Sequence, residues 1–189
     1  MLLGIPGVGK TTLLQEAYNT VKQSGQAIEM VTYSDVMLKR AQAEGLVSHR
    51  DEMRRLPATI QLRIQKEAAK EIASMGEDQV VMVDTHALIR IGEGAFLPGV
   101  PSWVAETLKP TQVVCIEASP QEIMNRRSRD KSNRKRDLED LEEVKLHLNM
   151  SRFAALIISA QTGATLRIIN NREGGLASTA MRLSEALLS

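Results

Sequence analysis

A glycine-rich segment close to the first residue carries the clearest chemical pattern in the sequence. Residues 4–11 match G-x-x-x-x-G-K-[ST] at every defined position, the pattern of loops that bind nucleotide phosphates. Its glycines allow a tight turn that directs backbone N–H groups at phosphate oxygens, and Lys10 adds charge for the outer phosphates. The predicted donor-binding residues are Gly4, Ile5, Pro6, Gly7, Val8, Gly9, Lys10, Thr11 and Thr12. The segment predicts a site for a nucleoside triphosphate.

A carboxylate at the end of an apolar run is the second signal. Residues 80–83 are apolar and Asp84 follows them, as in a buried strand whose end faces a bound nucleotide. Asp84 and the Thr11 hydroxyl are then the predicted ligands of Mg²⁺, directly or through water. Alternatively, Asp84 serves only as a helix cap or turn former. The sequence has no N-K-x-D motif, which argues against an ordinary GTPase.

A strongly basic segment covers residues 125–137. It contains seven basic residues, namely Arg126, Arg127, Arg129, Lys131, Arg134, Lys135 and Arg136. Arginines that close on a transferred phosphoryl group stabilise its charge, and closure excludes water that would compete with the acceptor. The segment is therefore interpreted as a short lid between two helices. A solvated helix end or a nucleic-acid patch are the alternatives.

Residues 48–55 follow the second predicted strand, where an acceptor-binding insertion is expected. Arg54 is the first candidate to bind the acceptor phosphate, and Arg50 is the second. Arginines on the surface of a helix are common, so a purely solvated role is the alternative.

Size and composition indicate one globular domain. The chain has 189 residues, of which 43% are hydrophobic and 25% charged, and a net charge of +1. A net charge this small produces no overall electrostatic field that would attract nucleic acid or membranes. The single cysteine, Cys115, excludes an intrachain disulfide and a multi-cysteine zinc site. The sequence contains no run of about 18 apolar residues, so no membrane span is predicted. It also shows no signal-peptide pattern, and a cytoplasmic location is therefore expected.

The elements that must position these residues alternate between short apolar runs and longer amphipathic stretches, which favours an α/β fold with a parallel sheet. The predicted strands are residues 1–3, 27–33, 80–84, 112–117 and 166–170. The first predicted helix follows the phosphate loop from about Thr12, carries Leu14, Ala17 and Val21 at helical spacing and stops near Gly25. The other predicted helices cover about 34–45, 59–75, 137–159 and 176–188, with a further helix start at 48–51. Ser34 and Asp35 are expected to cap the second helix. Only residues 1–3 precede the glycine-rich loop, whereas a typical strand has about five or six residues. We therefore expect that the start was misassigned or that the chain was trimmed, with several residues missing before Met1.

Together these residues resemble the archaeal adenylate kinases, which belong to the P-loop nucleoside monophosphate kinases. The resemblance runs over essentially the whole chain and rests on residues 4–12, 46–54, 83–86, 97–104, 136–138 and 162–164. It implies Mg²⁺-dependent conversion of ATP and AMP to two ADP. It also implies a P-loop NTPase-type three-layer sandwich with a five-stranded parallel sheet. An acceptor-binding insertion at about 34–75, a short zinc-free lid at about 126–137 and a homotrimer are expected as well.

The resemblance also implies roles for individual residues. Arg126, Arg127, Arg134 and Arg136 would be catalytic lid arginines alongside Lys10. Residues 98–103, including Pro98 and Gly99, would lie near AMP, and Asp84 and His86 are further candidates for contact with it. The loop that contains Asn171 and Gly174 would border the adenine of ATP.

His86 invites two interpretations. It is attractive as a catalytic base, but the loose transfer of a phosphoryl group needs little base assistance and the AMP phosphate is already deprotonated. We therefore expect His86 to position loop groups or the acceptor.

Two other functions stay open at this point. A related kinase acting on CMP or UMP differs only by a few pocket contacts. An ATP-driven assembly or RNA-associated factor would use the basic segment to contact nucleic acid, although the balanced net charge makes a nucleic-acid partner unexpected.

Overall fold

Parallel strands and covering helices alternate along most of the chain. The computed structural model describes residues 1–76, 79–129 and 140–188. The first elements are β1 (Leu2–Leu3), α1 (Lys10–Gln23), β2 (Ile28–Thr32), α2 (Tyr33–Ala43), a 3-10 helix (Arg50–Arg55), α3 (Ala58–Met75) and β3 (Val80–Asp84). They are followed by β4 (Leu88–Gly92), β5 (Ala95–Pro98), α4 (Ser102–Leu108), β6 (Gln112–Glu117), α5 (Pro120–Arg129), α6 (Leu141–Thr162), β7 (Thr165–Asn170) and α7 (Leu176–Leu188).

The main sheet has five parallel strands in the order β2-β3-β1-β6-β7, which confirms the predicted α/β class. Although β1 is short, it is central: Leu2 pairs with Asp84 of β3 and with Val114 of β6. The Met1 carbonyl extends this ladder by accepting a hydrogen bond from the Val114 N–H at 2.9 Å. The segment after β1 therefore leaves the middle of the sheet at its carboxyl edge.

Side-chain alternation along the strands divides the core into two halves. Leu2, Met82 and Val114 pack on the face that α1 and α7 cover. Their neighbours Leu3 and Val83 point to the opposite face, where α2, α3, α4 and α6 contribute to a second buried cluster. Since strand side chains alternate between faces, the two adjacent leucines of β1 join separate layers of the three-layer sandwich.

Several boundaries differ from the sequence expectations. Helix α2 begins at Tyr33 with Thr32 as its N-cap, so Ser34 and Asp35 lie in its first turn and the predicted cap is wrong. Helix α6 begins after Asp140, whose side chain accepts a hydrogen bond from the Glu143 N–H at 2.8 Å. The expected start at Asp137 lies outside the described residues. Helix α6 runs to Thr162, beyond the predicted end at 159.

The antiparallel hairpin of β4 and β5 was not predicted from the sequence. Its strands pair from Leu88 with Pro98 to Gly92 with Ala95, and the register shifts between Arg90 and Gly92. This hairpin stands outside the main sheet and contacts α6. Within the described ranges, no helix combines the length and the apolar character needed to cross a bilayer.

Candidate active site

The glycine-rich loop joins the central strand β1 to the first turn of α1. Gly7 and Gly9 adopt left-handed backbone conformations, with φ of 93° and 78°, which side chains disfavour. A Cβ atom on Gly9 would also lie 2.7 Å from Nδ2 of Asn171. The glycine pattern therefore reflects both backbone conformation and close approach of neighbouring groups.

Donors from other elements hold the outer side of this loop. The His86 imidazole bonds to the Gly4 carbonyl with a distance of 2.6 Å from Nδ1. Arg127 of α5 donates to the Pro6 carbonyl twice, from Nε at 2.9 Å and from Nη2 at 2.7 Å. These bonds fix the carbonyl groups at the beginning and middle of the loop.

A third carbonyl, that of Val8, accepts two further hydrogen bonds. Arg126 donates from Nη1 at 2.8 Å and Asn171 from Nδ2 at 2.9 Å. Arg126 also donates from Nη2 to the Asn171 carbonyl at 2.9 Å. The carbonyls of residues 4, 6 and 8 are thus all held from outside, which keeps the loop in one shape, as binding by preorganised backbone N–H groups requires.

Lys10 closes the loop and forms an ion pair with Asp84 at the end of β3. Its ammonium also donates to the Thr85 carbonyl at 2.6 Å. Burial lowers the pKa of Lys10, and the neighbouring Asp84 carboxylate opposes this effect. The predicted phosphate-binding lysine and the predicted magnesium-binding aspartate are therefore brought together at one point.

His86 is held in one tautomer. A carbonyl oxygen can only accept, so Nδ1 of His86 carries the proton in its bond to Gly4. Burial, followed by the charge of Lys10, lowers the pKa of His86 to about 4. The imidazole is therefore neutral near pH 7, and the structure places it against the loop.

The predicted lid arginines divide into two groups. Arg126 and Arg127 lie in the last turns of α5, where both contact the phosphate loop. Arg134 and Arg136 lie outside the described residues, as does the rest of the predicted lid from 130 to 137. The part of the basic segment that the structure describes is helical through Arg129.

The acceptor candidates lie in two separate places. Arg50 pairs with Asp35 and donates to the Ser34 hydroxyl at 2.8 Å, so it is tied to α2. Arg54 is exposed in the same 3-10 helix. Binding of AMP by either arginine stays a prediction.

Pro98 and Gly99 lie at the end of the hairpin and, with Asp84 and His86, are the remaining candidates for contact with AMP. Pro98 pairs with Leu88 in the antiparallel ladder. The Gly99 N–H donates to the Ala87 carbonyl at 2.9 Å, and a Cβ on Gly99 would lie 2.1 Å from the His86 carbonyl oxygen. Gly99 is thus required for close contact with the segment that follows β3, whether or not it also touches AMP.

The loop after β7 contains the two residues predicted to lie near adenine. Asn171 is buried, and its side chain holds the Val8 carbonyl, a contact that the sequence did not suggest. Gly174 is exposed and adopts a left-handed conformation with φ of 76°. Their proximity to adenine stays a prediction.

Sequence reasoning missed an ion pair behind the loop. Arg152 of α6 contacts both carboxylate oxygens of Glu117, at 2.6 and 2.7 Å. The backbone carbonyl of Glu117 accepts from the Asn171 N–H at 2.7 Å, which links this pair to the residue that holds Val8. The signal was present, because Glu117 ends an apolar strand just as Asp84 does.

The oxygen donors of Thr11 and Asp84 suit a hard cation. Thr11 is exposed in the first turn of α1, and Asp84 ends the neighbouring strand β3. Among residues 1–76, 79–129 and 140–188, no group of three or more acidic, histidine or cysteine side chains forms a metal site. In nucleotide sites Mg²⁺ takes few protein ligands and completes its shell with phosphates and water, so a hydroxyl and a carboxylate are donors that it would use.

Comparisons with known proteins agree with this geometry. The family profile described as AAA domain matches residues 3–145. An adenylate kinase of Methanopyrus kandleri is 45% identical over 187 residues, covering 98% of this chain and 95% of the relative. Adenylate kinases of Methanocaldococcus jannaschii and Methanothermobacter thermautotrophicus are 42% and 43% identical over 187 residues, covering 99% of this chain and 96% and 97% of theirs. The resemblance found in the sequence is confirmed, and the chain belongs to the adenylate kinase family.

Proposed function

We propose that the chain is an adenylate kinase that reversibly transfers a phosphoryl group from ATP to AMP and gives two ADP. The observation that carries this proposal is the phosphate loop, whose carbonyls are held by His86, Arg127, Arg126 and Asn171 and whose Lys10 meets Asp84. Membership of the adenylate kinase family then supports AMP as the acceptor.

The donor side binds the triphosphate. Backbone N–H groups of the loop and the positive end of α1 attract the phosphates. Lys10 would exchange the Asp84 carboxylate for phosphate oxygens, and Thr11 and Asp84 are the residues that would hold Mg²⁺. When bound, Mg²⁺ supplies positive charge that neutralises the phosphate oxygens.

The arginines act on the transferred group. Arg126 and Arg127 lie beside the loop, and their guanidinium groups donate to neutral carbonyls. A phosphate oxygen is a stronger acceptor for a guanidinium than a neutral carbonyl, because it carries negative charge and a phosphate can accept two parallel N–H bonds. Both arginines would therefore exchange these carbonyls for phosphate oxygens when ATP binds and stabilise the charge that spreads over the transferred group, while His86 and Asn171 continue to hold the loop. Arg134 and Arg136 would join them, as the resemblance implies.

A coupled assay tests the proposal. Purified protein is supplied with MgATP and with AMP, CMP or UMP, and ADP is measured. Two ADP per AMP consumed, with little product from CMP or UMP, is the expected result. Preference for CMP or UMP would indicate a related nucleoside monophosphate kinase. No acceptor-dependent ADP, together with salt-dependent RNA binding that persists in Lys10→Ala, would favour an RNA-associated factor instead.

We also propose that the protein is a homotrimer, as the resemblance implies. An apolar stripe on α6 supports an association surface: Leu146, Met150, Phe153 and Ile157 recur at helical spacing and are 42%, 38%, 62% and 57% exposed. Light scattering should then give three times the chain mass of 20.9 kDa. Phe153→Lys should shift it to monomer, whereas Met181→Lys on α7 should not. A monomeric wild-type protein would contradict the trimer. The cytoplasmic location stays a prediction.

A further inference from the structure

We propose that His86 is a positioning residue, which holds the first peptide of the phosphate loop through Nδ1–H and joins that loop to the hairpin on the acceptor side. This inference rests on the proposed function but assigns His86 a task different from contact with AMP. Three sets of contacts carry it.

The first set concerns Gly4, where the chain leaves β1. The bond from His86 holds its carbonyl at 2.6 Å. At its Cα, Gly4 also packs closely against β6, since an added Cβ would lie 2.9 Å from the Ile116 carbonyl oxygen. Close packing against β6 therefore restricts the Gly4 Cα, and the imidazole holds the Gly4 carbonyl.

The second set joins the segment after β3 to both ends of the loop. The Thr85 N–H donates to the Leu2 carbonyl at 3.0 Å, just before the loop. The Thr85 carbonyl accepts from the Lys10 ammonium at 2.6 Å, at its end. His86 adds the contact with Gly4 between them. A change in the position of His86 is therefore transmitted to the groups that bind phosphate.

The third set connects His86 to the hairpin. The Gly99 N–H donates to the Ala87 carbonyl at 2.9 Å. Because Gly99 has no side chain, the hairpin can pass close to the His86 carbonyl oxygen. A Cβ added at Gly99 would lie 2.1 Å from that oxygen. Pro98 and Gly99 are the residues expected near AMP. The contact at His86 therefore lies between the acceptor segment and the donor loop.

The required chemistry is simple, because His86 only donates one hydrogen bond. The amide nitrogen of asparagine lies at nearly the same distance from the backbone as Nδ1 of histidine. The amide of glutamine lies one methylene further out, near the position of Nε2. Asparagine can therefore replace His86 in this role, whereas glutamine cannot, although both side chains are neutral amides.

The test compares His86→Asn, His86→Gln and His86→Ala in the full-length protein. ADP affinity is measured by calorimetry, and kcat and KM are measured separately for ATP and AMP. The Gln and Ala variants should lose about tenfold in ADP affinity and in kcat/KM for ATP, as expected when one contact that orients a binding loop is removed. The Asn variant should stay within about twofold of wild type.

Two results would overturn the proposal. One is equal loss of ADP affinity in the Asn and Gln variants when both melt at the same temperature. The other is an effect confined to the KM for AMP, which would place His86 against the acceptor. If the wild-type protein formed no ADP from ATP and AMP, the proposed function would fail, but the ADP affinities would still decide the role of His86.

Discussion

The Lys10 ammonium and the Asp84 carboxylate form an ion pair that is nearly closed to solvent, with side-chain exposures of 8% and 16%. Each is the other's main source of compensating charge at the carboxyl edge of the sheet. The loop lysine is therefore positioned by a carboxylate before any nucleotide binds. Loss of either partner leaves a charge in a poorly solvated place.

Replacement of Lys10 by methionine should reduce kcat by about three orders of magnitude, because the charge on the transferred phosphates loses its partner. Steady-state assays with saturating ATP and AMP measure this effect. Lys22→Met, on the exposed side of the same helix, is the matched control and should leave kcat unchanged. Comparable activity of the two variants would contradict the role of Lys10.

Arg54→Ala should raise the KM for AMP about tenfold or more and leave the KM for ATP within about twofold. An arginine that binds only the phosphate of the acceptor contributes to the affinity for AMP and not to that for ATP. Initial rates at varied concentrations of each substrate separate the two constants. Arg55→Ala, at the next exposed position of the 3-10 helix, should change neither. Equal changes in both constants for Arg54→Ala would show that this arginine does not bind AMP.

Arg152→Met should destabilise the fold by about 2 kcal/mol, because it leaves the buried Glu117 carboxylate without its partner. The Glu117 side chain is only 3% exposed, but Arg152 is 48% exposed, so solvent screens part of the interaction. Urea unfolding measures the change.

The double variant Arg152→Met with Glu117→Gln should recover much of the lost stability, since the buried charge is then removed. Arg129→Met, which breaks an exposed pair with Glu173, is the control and should cost no more than about 0.5 kcal/mol. A similar loss of unfolding free energy in Arg152→Met and Arg129→Met would show that the buried Glu117 carboxylate does not cause the destabilisation.

Stability should fall as the pH is lowered from about 6.5 to about 4 because of His86. Burial lowers its pKa from 6.5 to about 4, so in this window the unfolded chain binds the proton more readily than the folded one. The full contribution is roughly 3 kcal/mol, present above pH 6.5 and lost by pH 4. Urea unfolding at a series of pH values should show a shallower decline for His86→Asn.

The buried amino group of Met1, with its pKa lowered to about 5, titrates in both proteins. The comparison between wild type and His86→Asn therefore isolates the histidine. Identical pH dependence in the two proteins would mean that His86 is not neutral and buried in the folded state.

Gly99→Ala should be far more damaging than Gly92→Ala in the same hairpin. A Cβ at position 99 would lie 2.1 Å from the His86 carbonyl oxygen, whereas at position 92 the nearest atom is 3.9 Å away. Relief of such a backbone clash costs about 1–3 kcal/mol or more. Thermal melting should therefore show a large loss for Gly99→Ala and little change for Gly92→Ala, and similar melting temperatures would refute the close contact.

Local pattern was sufficient for most of the sheet and the donor loop. The expected strand at 80–84 and that at 112–117 agree with the structure residue for residue, because buried parallel strands are continuous apolar runs bounded by turns. The hairpin of β4 and β5 escaped prediction. Its short strands lie outside the main sheet, and both carry exposed apolar residues, Ile91 and Leu97, so no burial pattern distinguished them from a loop.

The sequence by itself determined the phosphate loop, the parallel α/β fold and the family, because each depends on residues adjacent in the chain or on periodic burial. Only the tertiary structure decided what holds the loop. The side chains that bond to the loop carbonyls lie 82 to 163 positions away in the sequence; they belong to His86, Arg126, Arg127 and Asn171. Two of these residues, Arg126 and Asn171, also bond to each other across 45 positions. Such contacts depend on how strands and helices pack in three dimensions, and no local spacing encodes them.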